Sequence, residues 1–205
     1  MFRTDMWFLG LRQRSLINLG PAKNLCVLSY NSRGFCRIKQ EFCNVLTSFQ
    51  TVGNSIPILC NQENFVLRAN SYKISNALPN FYTGIKPAVK QCLNNGRPKN
   101  GMFMAVPSNF KNTFHDVSPD FWRLQAAIVK CSNSKVIIIN SYFPVDPRTV
   151  TFDDSELLET LQHIRSILNT NEFNHILGAG DINADFIRRS GHVKAVKEFI
   201  EEYFF

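Results

Sequence analysis

The sequence contains no apolar run that approaches the roughly 20 residues of a membrane-spanning helix. It has no internal repeat and no low-complexity linker, and none of its six cysteines forms a Cys-x-x-Cys pair or another metal-type spacing. Hydrophobic residues make up 44% and charged residues 19% of the chain, which excludes disordered, collagen-like and coiled-coil proteins. A length of 205 residues fits one domain of ordinary size, or at most two small ones.

The cysteines favour a fold that is stable without disulfides. Several of them lie in apolar runs, as in Cys26-Val27-Leu28. We therefore expect buried free thiols in a reducing compartment rather than a disulfide scaffold. The six are Cys26, Cys36, Cys43, Cys60, Cys92 and Cys131.

The formal net charge of +7 indicates a polyanionic partner such as nucleic acid. Many soluble proteins are mildly basic without any such partner, so the charge alone does not decide. The first residues combine Arg3, Arg12 and Arg14 with apolar residues, which is typical of a weak transit peptide. Asp5 and the lack of a Ser-rich stretch argue against that interpretation, and we predict that residues 1–23 are a poorly ordered leader to a domain spanning residues 24–205.

Strand-like and helix-like stretches alternate along the chain, which predicts an α/β or α+β domain. The Asn-, Pro- and Lys-rich stretch 72–100 predicts short strands joined by loops, and 94–101 predicts a loop. We predict longer strands at 25–30, 56–60, 102–106, 124–130, 136–142 and 175–177, with a hairpin turn at 131–134. We predict an amphipathic helix through Ile38, Phe42, Val45, Leu46 and Phe49, a second one capped by Asp153 with the stripe Leu157, Leu158, Leu161, Ile164 and Leu168, and a last one over 193–203.

Side-chain oxygens follow or end four of the predicted strands. They belong to Asn31, Glu63, Tyr142, Asp181 and Asn183. Strand ends that meet at one edge of a sheet are where α/β enzymes form their sites, and carboxylate and amide oxygens are the ligands that Mg²⁺ prefers. Each residue alone also has a simpler explanation, because Asn and Asp form turns, Glu is usually solvated, and Tyr is often half-buried.

Taken together and in order, these segments resemble the endonuclease/exonuclease/phosphatase superfamily, in particular the endonuclease domain of LINE-type (non-LTR) retrotransposons. The resemblance covers about residue 24 to the C-terminus, and Ile182 stands where the family usually has Phe. The matching segments are Ser29-Tyr30-Asn31-Ser32-Arg33-Gly34, Asn61-Gln62-Glu63, the stretch 96–104, Trp122-Arg123-Leu124-Gln125, Asn140-Ser141-Tyr142-Phe143-Pro144 and Gly180-Asp181-Ile182-Asn183.

The resemblance implies an α/β fold in which a two-sheet β-sandwich is flanked by helices, in four layers α/β/β/α. It also implies a Mg²⁺-dependent phosphodiesterase, with Mn²⁺ as an alternative ion, that nicks target DNA as a monomeric domain without a membrane, in the nucleus if the retroelement is active. Glu63 would be the main metal ligand and Asn31 would assist it. Asp181 would deprotonate the attacking water, Asn183 would position the water or the phosphate, and Tyr142 would donate a hydrogen bond to a phosphate oxygen.

The sequence departs from the family in one respect. The family's domain continues into a Ser-Asp-His motif that carries a catalytic His, and this sequence has no Asp-His pair. We therefore expect an incomplete domain whose C-terminal strands are missing and which nicks DNA poorly. Two alternatives stay open: an inactive remnant that binds nucleic acid weakly, and another phosphoesterase of the same superfamily, such as a lipid or inositol phosphatase. Arg33, Arg97 and Lys99 are the candidates for contacts with a nucleic-acid backbone.

Overall fold

Two β-sheets and four helices make up the part of the chain that the computed structural model describes, namely residues 6–7, 12–18, 24–51, 56–66, 68–80, 82–88, 101–131, 134–145, 155–184, 186–187 and 190–204. The strands are β1 (Met6–Trp7), β2 (Arg12–Asn18), β3 (Asn24–Asn31), β4 (Ile58–Gln62), β5 (Tyr82–Ala88), β6 (Met102–Pro107), β7 (Phe114–Asp116), β8 (Leu124–Cys131), β9 (Ser134–Tyr142) and β10 (His175–Asp181). The helices are α1 (Phe35–Thr51), α2 (Tyr72–Ser75), α3 (Ser155–Thr170) and α4 (Gly191–Phe204).

One sheet has the strand order β1-β10-β9-β8-β7 and the other has the order β2-β3-β4-β6-β5. Each contains one parallel pair joined through a helix: β3 and β4 through α1, and β9 and β10 through α3. Parallel neighbours need such a crossover, and it brings their carboxyl ends to the same edge. In the registers, Asn31 lies beside Gln62, and Asp181 lies beside Tyr142.

Three apolar clusters show that the sheets pack face to face between two helical layers. The cluster between the sheets takes residues from both, including Val27 and Ile58 on one side and Val129 and Ile138 on the other. A second cluster joins α3 and α4 to the outer face of the first sheet, and a third joins α1 and α2 to the outer face of the second. The structure thus confirms the predicted two-sheet sandwich flanked by helices.

Most of the predicted strands and helices are present, with three corrections. The segment Tyr72–Ser75 is a helical turn and not a strand. Leu158 is 53% exposed and Val45 is 40% exposed, although the sequence placed both on buried stripes. Leu158 directly follows the buried Leu157, and Val45 directly precedes the buried Leu46. Both therefore lie at the margin of their helix's buried face, which is narrower than the apolar pattern of the sequence suggests. The edge strand β7 was not predicted, because Phe114–Asp116 is short and mostly polar.

Some sequence predictions lie outside the described residues. They concern Asp153, Cys92 and most of the loop 94–101. Of the other five cysteines, Cys26, Cys60 and Cys131 are buried as expected, whereas Cys36 is exposed and Cys43 is half-buried, because both lie on the amphipathic helix α1 rather than in a strand. No helix in the described part of the chain is long and apolar enough to cross a membrane.

The stretch 1–23, predicted as a leader, contains the two strands β1 and β2. The longer one, β2, pairs antiparallel with β3 from Arg12 opposite Tyr30 to Asn18 opposite Asn24. The two residues of β1 pair parallel with β10. Both strands therefore lie along the outer edges of strands that end in candidate site residues. The division of the chain at residue 24 stays a prediction.

Candidate active site

The candidate site lies where β3, β4, β9 and β10 end. Asn31, Tyr142 and Asp181 are the last residues of their strands, Glu63 directly follows β4, and Asn183 lies two residues beyond β10. Two hydrogen bonds connect the sheets here. The Asn31 Nδ2 group donates to Asp181 Oδ2 at 2.7 Å, and the Tyr142 hydroxyl donates to Glu63 Oε1 at 2.8 Å. The structure therefore brings the side chains of these four residues together, half of them from each sheet.

The backbone at this edge is unusual. Arg33, Glu63 and Asn183 have positive φ angles of 44°, 52° and 47°. Left-handed backbone at residues other than glycine costs on the order of 1–3 kcal/mol each and is concentrated at functional sites. The Gly34 amide donates to the Glu63 carbonyl oxygen at 2.8 Å, which holds the loop after β4 against the loop after β3. Neighbouring contacts thus fix a strained conformation that presents the Glu63 side chain.

Asn31 is both a turn former and a contact across the sheets. Its Oδ1 accepts a hydrogen bond from the Arg33 amide at 3.1 Å, which makes an Asx turn, while its Nδ2 donates to Asp181. The Asn31 side chain is also buried. The turn and the burial together fix the direction in which its amide group points. The structural and the functional interpretations of this residue are compatible.

Asp181 is held through both of its oxygens. Oδ2 accepts from Asn31, and Oδ1 accepts from the backbone amide of Asn183 at 3.0 Å. Asn183 is anchored in turn, since its Nδ2 donates to the Phe143 carbonyl oxygen at 2.8 Å. The carboxylate is therefore oriented before any substrate arrives.

Tyr142 is a protonated donor at neutral pH. Burial raises the pKa of its phenol well above the usual value, and the hydrogen bond to Glu63 raises it further, against a smaller lowering by Asn183. Because the neutral phenol keeps its proton, it can donate to a carboxylate or to a phosphate oxygen.

Arg123 supports Tyr142 and was not among the predicted site residues. Its guanidinium lies 5.6 Å from the centre of the Tyr142 ring and donates to the Tyr142 carbonyl oxygen at 3.2 Å. It also forms an ion pair with Glu156 at 2.5 Å. The segment that contains Arg123 carried part of the family resemblance, but nothing in its pattern indicated that the arginine is buried.

The donor set fits a hard divalent cation such as Mg²⁺. Glu63 and Asp181 supply carboxylate oxygens, Asn31 adds an amide oxygen, and both carboxylates are partly exposed to solvent. Mg²⁺ is commonly held by one or two carboxylates and keeps several waters. In the described residues, no three His, Cys, Asp or Glu side chains lie close enough to share a metal ion, which is unlike a zinc site.

The predicted basic rim is described only in part. Arg33 is exposed and adjoins Asn31, whereas Arg97 and Lys99 lie outside the described residues. Of the histidines, His163 stacks on Phe121 with ring centres 4.5 Å apart, and His192 is fully buried at the start of α4.

No family model matches the sequence, and no curated protein matches it. Its fold does match solved structures. The AP endonuclease LMAP from Leishmania major aligns with a TM-score of 0.53 at 12% identity over 83% of this chain and 64% of that one. The catalytic domain of human Nocturnin with a bound sulfate anion aligns with a TM-score of 0.55 at 16% identity over 93% and 73%. The chain has the endonuclease/exonuclease/phosphatase fold.

The endonuclease domain of TRAS1, a telomere-specific non-LTR retrotransposon, aligns with a TM-score of 0.51 at 14% identity over 86% of this chain and 69% of that one. It matches no better than the other two, so the likeness does not single out the retrotransposon type. At these identities the likeness establishes the fold alone. The chain spans about two thirds of the length of the Leishmania protein.

Proposed function

We propose that this protein is a Mg²⁺-dependent phosphodiesterase, and more specifically an endonuclease domain of a retrotransposon that nicks DNA. One observation carries the proposal: two carboxylates, two amides and a protonated tyrosine from both sheets meet at one edge of the sandwich, joined by the Asn31–Asp181 and Glu63–Tyr142 hydrogen bonds. This combination can hold a cation, deprotonate a water molecule and donate to a phosphate oxygen.

Glu63, with the Oδ1 of Asn31, would hold the ion. A divalent cation bound there supplies positive charge to the scissile phosphate and to the leaving 3′ oxygen. Asp181 accepts the proton of the attacking water, and its two hydrogen bonds fix the direction from which it does so. Asn183 positions that water or the phosphate.

Tyr142 would donate to a phosphate oxygen. Its hydroxyl has a single hydrogen, which now goes to Glu63. The hydroxyl must therefore turn away from the carboxylate to bind the phosphate. The pKa of Tyr142, raised by burial, ensures that the hydrogen is still present when the phosphate arrives.

Charge and resemblance support nucleic acid as the substrate. The net charge is +7, and Arg33 is exposed beside Asn31. Polyanion binding by such a surface is favoured by the release of counterions. The retrotransposon assignment rests on the sequence motifs and on the fold likeness to the TRAS1 domain, among others.

Nicking of supercoiled plasmid tests the proposal. Conversion of the supercoiled plasmid to the open circle should require Mg²⁺ or Mn²⁺. This requirement is expected whether the chain nicks fast or slowly. Asp181→Asn should lower the rate by about 10²–10⁴-fold because the base is lost, and Glu63→Gln should raise the metal concentration needed for half-maximal rate. Asp116→Asn, which neutralises an exposed carboxylate on β7, is the matched control and should nick like the unmodified chain.

Three results would point elsewhere. Nicking by the Asp181→Asn variant at the rate of the unmodified chain contradicts the assignment of Asp181 as the base. Salt-sensitive DNA binding without nicking by any variant favours the inactive remnant. Release of phosphate from inositol phosphates with intact plasmid favours another phosphoesterase of the same fold.

A further inference from the structure

A buried polar layer lies directly beneath the candidate site, next to an apolar cluster between the two sheets. Ser29, Gln62 and Asn140 are 3%, 1% and 0% exposed, and all three lie between the two sheets. One step deeper along the same strands, the positions are Val27, Cys60 and Ile138. The change from apolar to polar side chains thus occurs at the same depth in both sheets.

This layer connects the sheets by hydrogen bonds. The Gln62 Nε2 group on β4 donates to Asn140 Oδ1 on β9 at 2.6 Å. On the neighbouring strands, the Gly180 amide of β10 donates to Ser29 Oγ of β3 at 3.1 Å. The other end of the Asn140 amide is also occupied, since its Nδ2 donates to Gln125 Oε1 at 3.1 Å.

Three of these residues lie within two positions of a site residue in the chain. Gln62 directly precedes Glu63, Asn140 lies two residues before Tyr142, and Gly180 directly precedes Asp181. The site is divided between the sheets in the same way, with Glu63 on one side and Tyr142 on the other. Two packed sheets share no backbone ladder, so contacts that involve side chains set their separation at this edge.

Stability alone does not explain the layer. A buried polar network contributes little net stability compared with well-packed apolar residues, but its directional bonds allow one arrangement of the strands. Some residues do not bind the metal themselves but orient the residues that do. Replacing such a residue typically lowers the metal affinity by about 10–100-fold.

We propose that Gln62 and Asn140 are positioning residues that set the spacing between the two halves of the site, so that Tyr142 and Asp181 of one sheet orient the cation ligands Glu63 and Asn31 of the other. The inference rests on the proposed function for the identity of the ligand. The spacing itself does not depend on it.

The test uses Asn140→Leu, which keeps the size of the side chain, and Gln62→Met, which keeps its length while removing the donor. Calorimetric titration with Mn²⁺ should show affinity lowered about 10-fold or more in both variants. Crystal structures of the metal-free variants should show the Tyr142–Glu63 hydrogen bond, 2.8 Å in the unmodified chain, lengthened beyond hydrogen-bonding distance.

Ile138→Ala is the control for general destabilisation. Ile138 is on β9 and fully buried between the same sheets, but it belongs to the apolar part. Its replacement should lower the urea midpoint while the Mn²⁺ affinity and the Tyr142–Glu63 distance stay unchanged. Using both Asn140→Leu and Gln62→Met keeps the test decisive if one variant fails to fold.

Unchanged Mn²⁺ affinity in the folded Asn140→Leu and Gln62→Met variants overturns the positioning role, whatever their stability. If the unmodified chain binds no Mn²⁺, the proposed function fails, and the crystallographic distance alone then decides. A Tyr142–Glu63 bond still at 2.8 Å in both variants rejects the inference, and a lengthened one upholds it.

Discussion

Gly180 allows β9 and β10 to approach each other immediately below the site. It lies opposite Ser141 in the parallel register, with a φ of +139°. A Cβ at this position would lie 1.9 Å from the Ser141 carbonyl oxygen, which is backbone and cannot rotate away. Since Asp181 and Tyr142 follow these two residues, the close approach also brings two site residues together.

Gly180→Ala is therefore expected to be costly. Gly101 is the matched comparison: it also has positive φ, at +92°, but a Cβ there would meet the side-chain Oδ1 of Asn64 at 2.6 Å. We expect Gly180→Ala to lower the free energy of unfolding by about 2–4 kcal/mol and Gly101→Ala by about 1–3 kcal/mol. Urea unfolding of both variants measures the difference, and a larger loss for Gly101→Ala would contradict the explanation.

At the level of elements, β3 and β10 both carry site residues, and both have neighbours from the N-terminal stretch. β2 covers the edge of β3 over seven residue pairs, whereas β1 covers only two residues of β10. An uncovered β3 would present unpaired N–H and C=O groups, which favour association between chains. A poorly ordered leader could be removed without an effect on stability or association, whereas a strand that pairs with β3 could not.

Deletion of residues 1–23 distinguishes them. If β2 pairs with β3, the shortened chain should unfold at lower urea concentration and should associate with increasing protein concentration in size-exclusion chromatography. Deletion of residues 1–5 is the control, because it leaves both strands in place. If the unmodified chain and both deletion variants unfold and elute identically, the interpretation of residues 1–23 as a poorly ordered leader is supported.

For the whole molecule, the net charge of +7 predicts DNA binding that is indifferent to sequence and steeply dependent on salt. Arg33 is exposed beside the site, and Arg165 lies on α3, where it pairs with Glu202 at 2.8 Å. Replacement of either by alanine removes one positive charge. The two variants therefore separate a local phosphate contact from the overall charge.

Fluorescence anisotropy with a duplex oligonucleotide at several salt concentrations makes this test. Arg33→Ala should weaken binding and reduce the slope of log K against log salt by about 1, because one phosphate contact is lost. Arg165→Ala should leave the slope unchanged. Equal effects of the two replacements would mean that Arg33 makes no specific contact, and an affinity independent of salt would exclude phosphate contacts altogether.

The sequence by itself determined the alternation of strands and helices and the residues at which the main strands end. Apolar runs and helical periodicity are local properties, and they located β3, β6, β8, β9 and α3 to within a few residues. The same patterns indicated the candidate site residues, because a polar residue at or after the end of an apolar run can be recognised from the local sequence alone. These residues are Asn31, Glu63, Tyr142, Asp181 and Asn183.

Only the tertiary structure decided which of these residues meet. Asn31 and Asp181 are 150 positions apart, and no local pattern specifies a contact between two different sheets over that separation. The burial of Arg123 and Asn140 was equally hidden, since a polar residue in a sequence is expected at the surface until its partners are known. Long-range packing brings those partners together, and it therefore decides the geometry of the candidate site.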